Sequence, residues 1–117
     1  MSKNLERYKE IIAIELKDLQ KDIEELLSRN KERNEKGEIT KYVFLENRVT
    51  LKDEINALKS FINTVKDMDA SSFESMDEID EYLNRKFNRM IQEAGYGKGI
   101  IYFVKKKLKK VKRYVCK

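Results

Sequence analysis

Proline, histidine and tryptophan are absent from the 117-residue chain, and cysteine occurs once. Without His there is no Ser-His or Cys-His nucleophile, and the commonest metal ligand is missing. A single Cys forms neither an intramolecular disulfide nor a cysteine-rich zinc site. No apolar run approaches the ~20 residues that span a bilayer. The opening Met1-Ser-Lys-Asn-Leu-Glu-Arg has no apolar core of the signal-peptide type. These absences point to a cytoplasmic chain with no cofactor, and to a binding protein rather than an enzyme. Glycine is scarce as well: three of its four copies stand in Gly95-Tyr-Gly-Lys-Gly99, which reads as a hinge.

What is abundant is charge. Charged residues make up 40% of the chain, hydrophobic residues another 40%, and the formal net charge is +5. That charge is unevenly placed. Residues 98–117 carry nine basic groups, Lys98, Lys105, Lys106, Lys107, Lys109, Lys110, Lys112, Arg113 and Lys117, and no acid. Residues 1–97 keep 17 basic groups against 21 acids, a charge of −4. The acids cluster too: Asp67, Asp69, Glu74, Asp77, Glu78, Asp80 and Glu81 fall in one stretch without Lys or Arg. Like charges this dense repel each other unless an opposite charge answers them.

Hydropathy spacing predicts helix over most of the chain. Across 3–35, Leu5, Ile12, Leu19 and Leu26 recur every seven residues with Leu16 and Ile23 between them, a narrow seam of the coiled-coil kind. Gly37 suits the left-handed residue that ends such a helix, and Thr40 the N-cap of the next. Ile39 and Phe44 stand at hydrophobic-staple spacing. Across 41–68 the seven-residue rule returns: Phe44, Leu51, Leu58 and Val65 form one row, Ile55 and Ile62 the other, and Arg48 interrupts it. A tight turn thus joins two helices into a long antiparallel hairpin. The hairpin leaves one side open, so a third helix or a second copy of the chain must cover it, and a homo-oligomer is expected.

Ser75 and Glu78 match the capping box and predict a third helix over 76–94, with Met76, Ile79, Leu83, Phe87, Met90 and Ala94 as its apolar face and Gly95 as its C-cap. Beyond the glycines, Ile101, Val104, Leu108, Val111 and Val115 recur at spacings of three and four. Residues from Lys105 onward therefore read as a basic amphipathic helix, while 100–104 fits a short strand equally well. The fold class is all-α. Its organisation is a helical body over 1–97 and a separable basic tail over 98–117.

That tail is the main functional signal. Lysines on one face neutralise phosphates and release counterions, which gives affinity without sequence readout. Tyr102, Phe103 and Tyr114 add rings on which bases can stack. The dominance of Lys over Arg argues against bidentate reading of base edges. The nine basic groups are accordingly the candidate site for nucleic acid or another polyanion. The alternative is a protein-interaction module or inhibitor. It would act through the hairpin face or through the acidic patch at 67–81, which imitates phosphates, docks a basic partner or holds the tail in cis. A membrane surface is a further reading, with the apolar stripe inserted and the lysines on anionic headgroups; in a purely structural one, Val104, Leu108 and Val111 pack on the body and the lysines face water or the acidic loop near Asp77. Glu74, Glu78 and Glu81 share helical spacing. Acids are favoured at a helix N-terminus without any metal, however, and no metal or catalytic site is assigned. Cys116, beside basic neighbours, reads as an inert terminal thiol.

Overall fold

The computed structural model describes residues 2–115; Cys116 and Lys117 lie outside the described residues. It contains four α-helices, α1 (Ser2–Glu35), α2 (Lys41–Asp67), α3 (Met76–Ala94) and α4 (Gly99–Val115), with a 3-10 turn at Ala70–Ser72 and no strand among the described residues.

Local chemistry sets the helix ends. Gly37 adopts φ +76°, a left-handed conformation that strains any residue with a Cβ. It lets the Glu38 N–H reach the Arg33 carbonyl at 2.8 Å and the Gly37 N–H reach that of Asn34 at 3.1 Å, a Schellman closure of α1. Thr40 then opens α2 by accepting from the Val43 N–H at 3.2 Å. Gly95, at φ +73°, closes α3 in the same way, with the Tyr96 N–H on the Ile91 carbonyl at 3.1 Å. Ser75 caps α3 by accepting from the Glu78 N–H. The segment 95–98 is all that separates α3 from α4.

Each helix packs on the next in sequence, and α4 returns to α1. The core takes Tyr8, Ile12 and Leu16 from α1, Leu58, Phe61 and Val65 from α2, Ile79, Leu83 and Phe87 from α3, and Ile100, Val104 and Val111 from α4. Phe61 and Phe87 stack with ring centroids 4.1 Å apart. The apolar stripe of the basic tail thus belongs to the same hydrophobic cluster as the rest. The helix begins at Gly99 and includes 100–104, where the sequence left a strand open. The helical period puts Ile100, Ile101 and Val104 together on the buried side, whereas a strand would divide them between two faces.

Two side-chain placements differ from the sequence expectation. In α3 the fourth buried position is Ile91, and Ala94 is exposed. In α1, Leu26 is exposed rather than in the seam. Ala94 is the last residue of α3, before its Gly95 cap; the exposure of Leu26 goes with the length of the hairpin. The radius of gyration is 16.2 Å, against about 13 Å for a compact chain of this size. The accessible surface is 7899 Å², against roughly 6,700 Å² for a compact globule. The glycine elbow and the start of α4 meet α2 at Thr50, Asp53 and Glu54, so the hairpin tip projects past them. Over the body, α3 and α4 cover the open side of the hairpin, which the sequence left to a third helix or a second copy.

Candidate polyanion-binding face

Burying its apolar stripe turns the charged side of α4 outward. Lys105, Lys106, Lys109 and Arg113 are exposed, as is Lys98 just before the helix, and none has an ion pair among the described residues. The lysines at the edges of the buried stripe behave differently. Lys107 and Lys110 both reach Glu15 of α1, at 3.3 and 3.4 Å. Lys112 pairs with Asp77 in the first turn of α3. These contacts clip α4 to its two neighbours. Lys117 lies outside the described residues.

Aromatic rings share the outward face. Tyr102, Phe103 and Tyr114 are exposed. Tyr102 and Phe103 meet edge to face at 5.7 Å. Lys106 Nζ stands 4.5 Å from the Tyr102 ring centre, and the Arg7 guanidinium of α1 stands 5.9 Å from that of Tyr114, both within cation–π range.

Between α1 and α4 runs an open groove of about 470 Å³. Ile11, Ile14, Val111 and Tyr114 line it together with Arg7, Glu10, Glu15 and Lys110. The sequence reading singled out neither Arg7 nor Ile14. Ile14 did carry a signal, since it is an isoleucine that falls outside the seam of α1. A second basic cluster, Arg85, Lys86 and Arg89 around Tyr82, also went unmarked, although Arg85 and Arg89 are four residues apart on α3.

The acidic stretch does not form one uniform patch. Asp69 caps the 3-10 turn, and hydrogen bonds from the Ser71 hydroxyl and backbone N–H hold its carboxyl below the usual range. Asp77 answers Lys112. Asp80 turns inward and accepts a hydrogen bond from the Tyr8 hydroxyl, and burial pushes its carboxyl up. Asp67 is the last residue of α2, and Asp67, Glu74, Glu78 and Glu81 are exposed. Among the described residues, no three His, Cys, Asp or Glu side chains are placed to hold a metal ion. No described helix is long and apolar enough to cross a membrane.

No family model matches the chain, nor does any curated protein or solved structure.

Proposed function

We propose that this chain is a cytoplasmic, non-enzymatic binding protein that takes a nucleic-acid backbone or a similar polyanion on the outward face of α4, without reading sequence. One observation supports this reading above the others. The core uses the apolar stripe and two acids use the flanking lysines, yet Lys98, Lys105, Lys106, Lys109 and Arg113 stay exposed with no carboxylate partner among the described residues. Five cations along roughly 20 Å of chain repel one another, and a phosphate chain relieves that repulsion by releasing counterions. The membrane reading is the weaker one, because the stripe that would enter a bilayer is already committed to the core.

A salt titration tests the proposal. If all five cations meet duplex phosphates, the log–log slope of affinity against salt is about −4.5. Changing Lys105, Lys106 and Lys109 to Gln lowers both the affinity and the slope while the helical signal and the melting curve stay put. A salt-independent affinity, or a glutamine variant that binds like the parent, overturns the reading.

A protein contact at the hairpin tip is the second reading. Tyr42, Leu45 and Val49 on α2 are exposed there, and apolar groups left uncovered mark an interaction surface. A second copy of the chain is the proposed occupant.

A further inference from the structure

We infer, resting on the polyanion reading above, that the preferred ligand is single-stranded nucleic acid. One base lodges in the groove between α1 and α4, and another stacks at the Tyr102–Phe103 pair. Two features of the face exceed what a plain phosphate chain needs. The first is its rings. Tyr102 and Tyr114 are each 59% exposed, and Phe103 is 47% exposed, although all three lie on a helix with a well-filled core side. Each tyrosine ring has a cation over one face, Lys106 at Tyr102 and Arg7 at Tyr114. A nucleotide can therefore set its base on the other face and its phosphate against the charge. Base–aromatic stacking tolerates any sequence, in keeping with a lysine-dominated surface.

The second feature is the groove. Its lining includes Ile11, Val111 and Ile14, an isoleucine 59% exposed to water. Its α1 side carries Glu10 and Glu15, with Glu15 already answered by Lys107 and Lys110. Glu10 and Glu15 offset Arg7 and Lys110 in the lining, so no net positive charge draws a phosphate in. A flat, largely apolar base needs none, and its amino groups can donate to Glu10. The cations that would hold the backbone, Lys106 and Arg113, are exposed and lie outside the groove lining. The arrangement is base in, backbone out. From Tyr102 to Tyr114 the helix rises about 18 Å, enough for a run of several nucleotides. A paired duplex keeps its base faces stacked inside and offers only edges, so neither the groove nor the ring pair gains from it.

Fluorescence anisotropy with a labelled single strand of mixed sequence, a duplex of equal length, heparin as a polyanion without bases, and anionic phospholipid vesicles separates the cases. The single strand is expected to bind at least tenfold more tightly than the duplex or heparin and to quench tyrosine fluorescence. Tyr114→Ala and Ile14→Ser, on different helices and both at exposed positions, should each weaken single-strand binding about tenfold and leave heparin binding unchanged. The Lys105, Lys106 and Lys109 to Gln variant should weaken every polyanion. Equal affinity for single strand and heparin, with neutral Tyr114 and Ile14 variants and a weakened lysine variant, overturns the inference and leaves the polyanion reading standing. Binding of none of the polyanions overturns both. Tighter binding to vesicles than to the strand overturns the inference in favour of a lipid surface.

Discussion

Tyr8, fully buried in α1, donates its hydroxyl to the carboxylate of Asp80 on α3. The contact joins the first and third helices. Burial holds the Asp80 carboxyl above its usual range, and the Tyr8 bond draws it part of the way back.

That relationship has a pH signature. The folded pKa of Asp80 lies above the unfolded one, so the folded state binds more protons in the window just above the ordinary carboxylate pKa of about 4. Its contribution to stability is therefore greatest in acid and falls as pH rises through that window. Glu54, raised by burial, acts with the same sign; Asp69, lowered, acts with the opposite one. Asp80→Asn keeps an acceptor for Tyr8 and removes the charge. Urea unfolding from pH 3.5 to 7 should show the variant gaining on the parent as pH rises. A difference that does not change with pH would remove Asp80 from the account.

The basic helix offers a fork between core and surface. Val104 has no exposed area and Leu108 almost none. Val104→Asp buries a charge with no partner, a loss of roughly 3–5 kcal/mol, large against a domain stability of about 5–15 kcal/mol. Leu108→Ala should lose about 2–5 kcal/mol. Gln at Lys105, Lys106 and Lys109 should change stability by less than about 0.5 kcal/mol. Thermal and urea melts followed by circular dichroism check all three. An aspartate at 104 that melts like the parent would mean that α4 is dispensable to the fold, as the sequence reading of a separable tail expected.

Much of this architecture was legible because heptad rows and caps are local signals. Leu16, Leu58 and Val65 fell on the seam as their spacing required, and Thr40, Ser75, Gly37 and Gly95 mark helix ends in the structure. Leu26 misled because spacing reports a helix's own face and not how far its neighbours extend. The candidate site was half visible. Lysine density could be read directly, but which lysines find acids depends on Glu15 and Asp77 arriving from other helices. The groove with Arg7 and Ile14 exists only once α4 lies along α1.

The hairpin tip is held by a polar pair that the heptad reading passed over. Asn30 continues the row of Leu16 and Ile23, and it is buried. Its Nδ2 donates to the Leu26 carbonyl at 2.9 Å, and its Oδ1 accepts from Asn47 Nδ2 at 3.0 Å. A buried Asn in an apolar seam fixes register at some cost in stability. Asn47→Ala strips the donor from a buried oxygen and should cost about 1–3 kcal/mol. Replacing both residues with Leu should instead raise the melting temperature. If Asn47→Ala melts with the parent, the pair has no structural weight.

Self-association should occur at the tip and be weak. Tyr42, Leu45 and Val49 lie at i, i+3 and i+7, which sets them along one side of α2, and Val49 is 62% exposed. All three are exposed, and α4 begins near Thr50, past them along α2. Three apolar side chains per copy make a small interface, so the dissociation constant should be on the order of tens of micromolar, about −6 kcal/mol. Analytical ultracentrifugation should show a mass that rises with concentration in that range. Leu45→Glu with Val49→Lys should return the chain to a monomer without loss of helix, since both positions are exposed. The doubly substituted chain should still bind a short strand like the parent, because the α4 face is untouched. On a long strand it should bind more weakly, because a dimer brings two such faces to one ligand and gains by effective concentration. A chain that stays monomeric up to roughly 100 μM, a concentration that should populate a dimer of this strength, would reject the tip contact. The α4 face would then be the sole binding surface argued for this protein.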